Sequence, residues 1–391
     1  MYLTDNELSA ALELRDLTDP AQGRHAMQAL IAATLDLLAA AWAVPVRLHR
    51  GERIVSVVDN YDALGYPADG PARDRRYTRY VEEGRLLRTH TSAAVPGALR
   101  LLGGQMCDEL IALPGLVYRR DVIDCLHVGE PHQLDLWRLS TRPLDVGHLR
   151  EMISAVVGAL LPGARWRALP AQHPYTADGL EVQVLWGDEW VELLECGLAH
   201  PRVLEAAGLD GWGLAMGVGI DRALMLRKDI SDIRLLRSAD PRVAGQMLSL
   251  DPYKEVSAQP AAKRDLSIAC APGLTEEELG DRVRRALGGE AEVIEQVELL
   301  SRTPWSGLHE VAHERMGMAA GQENLLVRVV VRHPTRSVGR AEANALRDRI
   351  YTALHEGARA EYASAARLEQ RRTPPRGGLR VRDEGPGQVP T

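Results

Sequence analysis

Phenylalanine does not occur in this chain of 391 residues, and aromatic residues together make up only 4% of it. A gap that complete, in a chain this long, is not what drift produces. Cysteine is scarce as well. Cys107, Cys125, Cys196 and Cys270 lie far apart and form no Cys-x-x-Cys. That spacing gives no zinc framework and suits a reducing compartment. No stretch is long and apolar enough to cross a membrane. The start, Met1-Tyr-Leu-Thr-Asp-Asn-Glu7, has no basic segment ahead of an apolar run, which predicts no signal peptide. The expectation is a cytoplasmic protein. Nor is positive charge in excess. The formal net charge of −7 argues against a protein that coats nucleic acid, while leaving room for a local basic groove.

What is present is the composition of a globular protein, 45% hydrophobic and 26% charged. The length suits two or so domains. From Lys254 to the end there are 21 Lys and Arg against 20 Asp and Glu, a balance of +1, and the rest of the chain carries −8. The C-terminal part is therefore the one better suited to a polyanion.

Residues 1–50 read as a helical segment, with Leu30–Trp42 apolar at helical spacing and expected to dock on the core. Ile54–Tyr61 reads as a strand. The main unit is expected over 51–247 and a linker over 248–262. A second unit over 263–362 reads as strand, helix (Thr275–Leu287), strand (Ala291–Leu300), strand (Leu325–Arg332) and helix (Arg340–His355). That order suggests a ferredoxin-like β-α-β-β-α-β sandwich. The Pro/Gly-rich residues 363–391 are expected to be disordered. Within the second unit, His309-Glu-Val-Ala-His313 fits His-Glu-x-x-His, which on a helix can bind zinc. It follows Pro304 and Gly307 closely, and His333 is the one further ligand to name, so a polar loop is expected there.

The stretch around which the rest is organised is Gly211-Trp-Gly-Leu-Ala-Met-Gly-Val-Gly-Ile-Asp-Arg222, continuing as Ala223-Leu-Met-Leu226. It reads as a strand running into a helix. Gly213, Gly217 and Gly219 lack a Cβ, so other atoms can come close to the backbone. A guanidinium at Arg222 could lie on a base or fork onto phosphate oxygens. A buried glycine-rich strand under a helix, with Arg222 on the surface, is the other reading. No full dinucleotide or P-loop pattern is present.

This stretch resembles the third signature motif of class II aminoacyl-tRNA synthetases, and more narrowly that of the phenylalanyl-tRNA synthetase family. Asp229-Ile-Ser-Asp-Ile-Arg-Leu-Leu236 fits the same family. Asp59–Pro67 and Pro71-Ala-Arg-Asp74 resemble its first motif region, with Gly70 where a His is usual and a basic run, Arg75-Arg-Tyr-Thr-Arg-Tyr80, after it. Gly115–Asp121, His127 and His132–Asp135 resemble the second motif, two antiparallel strands and a loop. The Arg-Asp-Leu after Lys263 and the segment Arg336–Asn344 resemble the ferredoxin-fold anticodon-binding domain. Together these cover roughly residues 55–360.

The resemblance implies an α+β fold: a class II antiparallel sheet flanked by helices, plus the C-terminal ferredoxin-like domain. It implies an ATP-dependent aminoacyl-tRNA ligase that needs Mg²⁺, with tRNA (phenylalanine type) and an amino acid as partners, no membrane, and a monomer or a homodimer. Arg119 and Arg222 would be catalytic and would bracket ATP, with Asp121, His127, Glu192 and Gly219 on the nucleotide. Glu192 would hold the metal. His90 and Ser92, in Leu86-Leu-Arg-Thr-His-Thr-Ser92, would hold the amino acid's polar end. Gln133 and Asp135 would face its ammonium, with Asp135 replacing a usual Glu. Ala215 and Gly217 would also border the amino acid.

Three departures bear on the substrates. Pro131 stands where an aromatic residue is usual for stacking adenine. Gln172-His-Pro-Tyr175 replaces a Phe-Pro-Phe that lines the phenyl pocket, so His173 and Tyr175 bring hydrogen-bonding groups there. Glu195 stands where glycine is usual. Pro131 bears on the nucleotide; His173, Tyr175 and Glu195 suggest a hydroxylated or otherwise polar aromatic amino acid, the other reading of Glu195 being that it blocks the pocket. The missing phenylalanine suggests that the protein can be made when charged phenylalanine tRNA is scarce or mischarged. The other readings are a catalytically silent paralogue that binds tRNA or a partner, and an adenylating enzyme that passes its acyl group to a different acceptor.

Overall fold

The computed structural model describes residues 2–256 and 260–359. The strands within them are β1 (Val46–Leu48), β2 (Ile54–Ser56), β3 (Tyr80–Glu82), β4 (Arg85–Leu87), β5 (Glu109–Leu116), β6 (His132–Ser140), β7 (Trp166–Pro170), β8 (Thr176–Trp186), β9 (Glu189–Ala199), β10 (Trp212–Gly219), β11 (Ala262–Cys270), β12 (Ile294–Pro304) and β13 (Glu323–Val331). Seven of them form the main sheet, in the order β1-β5-β6-β10-β9-β8-β7. β1 pairs parallel with β5, and the remaining pairs are antiparallel.

Side chains alternate across a strand, so each strand of this sheet serves two faces. On one face Leu134 and Leu136, Leu194 and Cys196, and Leu214, Met216 and Val218 join the largest core. The helices Ala26–Trp42, Val146–Leu160 and Ile220–Arg227 contribute to that core. In the first of these, Met27, Leu30, Ile31, Thr34 and Leu38 are buried, the spacing of one helical face. On the other face Trp137 and Leu139 pack with Ala215, Leu64, Val95 and Leu99. The functional groove opens on this second face.

The strand expected over Ile54–Tyr61 is shorter than its apolar residues suggest. Ser56 accepts a hydrogen bond from the Asp59 N–H and starts a short helix, Val57–Asn60. The His309 segment is also not a loop. His309 caps a helix, Glu310–Met316, and the His313 ring stacks on Trp305 at 4.2 Å between centroids. Stacked in this way, His313 gives its Nε2 to the Trp305 carbonyl at 2.8 Å. Among the described residues no group of three or more His, Cys, Asp or Glu side chains could hold a metal ion.

The last three strands form a separate antiparallel sheet in the order β11-β13-β12. Its core includes Leu266, Ile268, Val327 and Val329, with Leu279 and Val283 from the helix Glu276–Leu287 and Leu346 and Ile350 from the helix Arg340–Leu354. This supplies five of the six elements expected. The described residues end at 359, so the strand expected to close the unit by residue 362 lies partly, and the tail 363–391 wholly, outside them; within them the Glu356 N–H donates to the Ala269 carbonyl at 2.7 Å. The first part of the expected linker is fastened to the main unit. Lys228 is buried and its ammonium donates to the carbonyls of Ser249 (2.8 Å) and Asp251 (2.5 Å).

Candidate active site

The site is built on β10. Its even positions, Leu214, Met216 and Val218, are buried in the core, and its odd positions are Gly213, Ala215, Gly217 and Gly219. The face turned to the groove thus has almost no side chain of its own. Its register arranges the neighbours in rows. Trp137, Ala215 and Gly197 form one row, Asp135, Gly217 and Glu195 the next, and Gln133 lies beside Gly219 in the third. Residues directly opposite each other in an antiparallel pair share a face, so each row projects into the groove.

A β-bulge completes the third row. Leu194 pairs with Val182, but Gln183 pairs with Glu192, leaving Leu193 as an extra residue. Leu193 and Leu194 both enter the core, and Glu192 is turned to the groove. Without the bulge strict alternation would bury Glu192 and expose Leu193.

At the third row the groups are polar and already engaged. The Arg222 guanidinium donates to the Glu192 carbonyl at 2.9 Å and lies 3.9 Å from its carboxylate. It also reaches His127 Nε2 at 3.3 Å, and His127 Nδ1 sits 2.8 Å from both Asp124 oxygens. The Asp124 hydrogen bond raises the His127 pKa, against the opposing effect of burial. Burial, with a smaller push from Glu195 and Glu181, raises Glu192 despite the nearby Arg222. A divalent ion arriving with a nucleotide would relieve that repulsion. Glu192 fits as its single protein ligand, with phosphate and water supplying the rest.

Behind this end, Asp221 locks Arg222's helix to the start of β6. Its carboxylate accepts from the backbone N–H of His132 and sits 3.1 Å from that ring's Nδ1 and 3.3 Å from Arg237. His132 Nε2 in turn accepts from the Leu17 N–H at 3.0 Å. Burial pushes Asp221 up, but His132 and Arg237 more than offset it and hold it at about 2. Arg222 and Gln133 are the immediate chain neighbours of this fixed pair.

At the middle row Asp135 is buried and accepts from Thr91 Oγ1 (2.5 Å) and Ser92 Oγ (2.7 Å). Burial nevertheless pushes its pKa up to about 6. Gln133 Oε1 accepts from the Thr91 N–H at 3.2 Å, so its amide hydrogens are left for a ligand. His90 is buried, stacked on Tyr66 at 5.4 Å, and both of its ring nitrogens lack a hydrogen-bond partner. Burial depresses it to about 3, so it is neutral; the Asn60 backbone comes close without reaching hydrogen-bond geometry. Leaving buried polar groups unpaired costs roughly 1–3 kcal/mol each. Arg119, anchored by its Nε on the Thr89 carbonyl at 2.8 Å, acts electrostatically on His90, Asp135, Glu192 and Glu195.

The first row closes the groove with rings. Tyr175 is buried against Trp137 at 6.3 Å and Tyr66 at 6.5 Å. Burial, with Asp135 and Glu195 nearby, raises its phenol well above the ordinary value. His173 lies 6.2 Å from Tyr175 and places Nε2 3.3 Å from Glu195 Oε1. Gly179 makes this turn possible, since a Cβ there would meet the Ala171 carbonyl at 2.5 Å and His173 Nδ1 at 3.1 Å.

Most of the residues proposed from the sequence therefore converge on one groove: His90, Ser92, Arg119, His127, Gln133, Asp135, His173, Tyr175, Glu192, Glu195, Ala215, Gly217, Gly219 and Arg222. Asp121 acts on the third row only through its charge, which helps to raise the His127 pKa. Its carboxylate turns back to the Val122 N–H at 2.9 Å, and its carbonyl accepts from Arg284 of the C-terminal unit at 2.7 Å. Pro131 offers no aromatic ring, and its carbonyl accepts from the Val117 N–H at 2.8 Å. Sequence reasoning passed over Tyr66, Thr91, Asp124, Trp137 and the His132–Asp221 pair. Thr91 had a signal, since it lies between two proposed residues. So had Asp124, three residues before His127. Tyr66, Trp137 and the His132–Asp221 pair act across strands and loops, where spacing carries no information.

Comparison with known proteins agrees with this geometry. Residues 20–247 match the family described as tRNA synthetases class II core domain (F). The phenylalanine–tRNA ligase alpha subunit of Prochlorococcus marinus (strain MIT 9313) is 36% identical over 60% of this chain and 70% of its own length. That of Synechocystis sp. (strain ATCC 27184 / PCC 6803 / Kazusa) is 34% identical over 61% and 73%. That of Nostoc punctiforme (strain ATCC 29133 / PCC 73102) is 32% identical over 60% and 71%. With more than half of its length matched, and its glycine-floored groove within the matched part, the chain belongs to the class II tRNA synthetase core family as a phenylalanyl-tRNA synthetase-like protein.

Proposed function

We propose that this protein is an aminoacyl-tRNA ligase of phenylalanyl type. It activates an aromatic amino acid with ATP and Mg²⁺ and transfers it to tRNA. The observation that carries this is the order of the three rows along β10: rings at Trp137–Ala215, a buried carboxylate at Asp135–Gly217, and guanidinium, imidazole and carboxylate groups beyond Gly219. An amino acid laid along them puts its side chain on the rings and its ammonium at Asp135. Its carboxylate then faces Arg119, next to the nucleotide end. Gln133, given to the ammonium by the resemblance, stands one row on, beside Gly219, where its amide hydrogens suit that carboxylate instead.

In the first step a carboxylate oxygen attacks the α-phosphorus of ATP and pyrophosphate leaves. Arg119 and Arg222 offset the negative charge gathered between two anions, a task suited to a permanently charged fork. In the second, a ribose hydroxyl of the tRNA attacks the acyl carbonyl and AMP leaves. No covalent enzyme intermediate is needed, because positioning and charge stabilisation suffice. We read residues 51–247 as the catalytic unit and 263–362 as a tRNA-binding unit of ferredoxin type. The β11-β13-β12 order and its separate core support that reading. The departures at His173, Tyr175 and Glu195 favour a polar aromatic substrate over phenylalanine.

The test is ATP–pyrophosphate exchange across a panel of aromatic amino acids, followed by acylation of phenylalanine-type tRNA. Exchange with one of them, abolished in Arg222→Ala, is the expected result. No exchange with any, in a protein that still binds tRNA, would favour the silent paralogue. Exchange without acylation would favour a non-tRNA acceptor.

A further inference from the structure

Glu195 occupies the middle row, and this narrows the substrate. It pairs with Gly217 across β9 and β10, and Gly217 pairs with Asp135 across β10 and β6. The two carboxylates therefore stand on the same face, one on each side of a glycine. A Cβ added at Gly217 would meet only the Tyr175 hydroxyl, at 3.9 Å, so the space between them is open. A ligand with its ammonium at Asp135 must pass its Cβ over Gly217 to reach the rings at Trp137 and Ala215. Glu195 stands beside that crossing, level with the ammonium and not at the pocket's end.

The chemistry of Glu195 is fixed by its neighbours. His173, itself largely buried, sits 3.3 Å from its carboxylate. Burial alone would raise Glu195, but the His173 hydrogen bond and charge, and Arg119, bring it below the ordinary carboxylate range. An ionised carboxylate only accepts hydrogen bonds, so what it reads must be a donor. The far end of the pocket is different. Ala215, in the ring row, belongs to an apolar cluster with Ala94, Ala98 and Leu64, and the Trp137 Nε1 has no hydrogen-bond partner, although it comes near Asp135.

From this placement we propose that the His173–Glu195 pair selects an aromatic amino acid carrying a hydrogen-bond donor at or near its β-carbon. A β-hydroxyl or an ortho-hydroxyl would meet Glu195, whereas a para-hydroxyl would pass beyond it. The inference rests on the proposed amino-acid activation at this groove. The composition of the chain is consistent with it. A protein with no phenylalanine is itself unaffected when such an analogue is attached to tRNA that decodes phenylalanine codons.

The test is pyrophosphate exchange with phenylalanine, threo-β-phenylserine, ortho-tyrosine and para-tyrosine, using the full chain and its Glu195→Gln and His173→Phe variants. Melting curves confirm that each variant is folded. The expected result is a kcat/KM for phenylserine or ortho-tyrosine at least about tenfold above phenylalanine and para-tyrosine. A site built to bond a hydroxyl discriminates strongly against substrates that lack it. Glu195→Gln should collapse that ratio, mainly through KM, and His173→Phe should reduce it. Phenylalanine or para-tyrosine as the best substrate, or a ratio unchanged in Glu195→Gln, would overturn the proposal while leaving aminoacyl activation intact. Silence with all four, and with the wider panel, would instead remove the activation reading on which it stands.

Discussion

The two ends of the groove hold the same kinds of group in different states. At the nucleotide end, polar side chains are already bonded to one another, in a chain from Asp124 through His127 and Arg222 to Glu192. At the proposed amino-acid end Asp135 and Glu195 have partners too, but neither ring nitrogen of His90 has one, and Asp135 is held in a buried setting that disfavours its charge and pushes it up to about 6. The nucleotide end is thus set in place before any ligand arrives. The amino-acid end holds unfavourable terms that an ammonium and a carboxylate would relieve, which links occupancy there to stability.

Arg222 gives the largest expected effect. Removing it takes one cation from the proposed nucleotide end while breaking a bond to a carbonyl, one to His127 and a long ion pair with Glu192. Pyrophosphate exchange by Arg222→Ala should fall by about 10³-fold, in line with the loss of a fixed charge aimed at a transition state. Its melting temperature should barely move. A large fall in melting temperature would mean that Arg222 holds the fold and not the ligand, and the contrast between the two ends would fail.

Asp135 is the matching test at the other end. Its folded-state value, about 6, lies above its ordinary 3.8. The folded protein therefore binds the proton more tightly than the unfolded chain. Its contribution to stability is fully present below about pH 4 and is lost as pH rises through about 6, amounting to about 3 kcal/mol at neutral pH. Asp135→Asn should flatten that decline in unfolding free energy between pH 4 and 6. It should stabilise the ligand-free protein at pH 7 and lower kcat/KM for the amino acid by about 10²-fold, the size expected for an unpaired ammonium. Greater stability together with lost activity is the signature sought, and destabilisation at pH 7 would refute it.

These two positions also show how much could be read in advance. Order and spacing alone left Arg222 equally readable as a surface residue; Arg222 and Asp135 were visible because each lies in a stretch that resembles a motif of the family. So was the alternation of small and large residues along β10. Glu192 was visible as a residue, but not the bulge at Leu193 that turns it to the groove, since bulges depend on the pairing of two strands. Tyr66 and Trp137 stayed hidden for the same reason. They act on partners brought near by folding, whereas Asp124 lies only three residues from His127 and looks locally like an ordinary loop residue. The helix at Val57–Asn60 was missed because one serine hydroxyl outweighs an apolar run that otherwise suits a strand. In the C-terminal unit the element order was legible from periodicity.

Asp124 sharpens the nucleotide end with a smaller effect. Its hydrogen bond is the largest reason that the His127 pKa is raised. A protonated His127 adds positive charge beside Arg222, so the KM for ATP should rise as pH increases through that pKa. Asp124→Asn should move this rise to lower pH and increase the KM at pH 7 by roughly 5–10-fold, the value of one charge interaction near the surface. An ATP KM that is flat with pH in both proteins would show that His127 does not touch the nucleotide.

The glycines give the finest comparison. Gly179 and Gly217 lie on neighbouring parts of the same site and look alike in sequence, but the space around them differs. A Cβ at Gly179 would sit 2.5 Å from the Ala171 carbonyl, a backbone atom that cannot simply turn aside, whereas one at Gly217 would meet nothing closer than the Tyr175 hydroxyl at 3.9 Å. Gly179→Ala should therefore destabilise the protein by about 1–3 kcal/mol through overpacking. Gly217→Ala should change stability by no more than about 0.5 kcal/mol, as expected where nothing is displaced. Activity should show a different pattern. The methyl at Gly217 would project between Asp135 and Glu195, where the substrate's Cβ must cross, and should raise the amino-acid KM by about tenfold while leaving the KM for ATP alone. Denaturant melts and the two KM values measured on both variants separate a glycine kept for the fold from one kept for the ligand. Equal losses of stability in the two would mean that the space over Gly217 is not held open for a substrate.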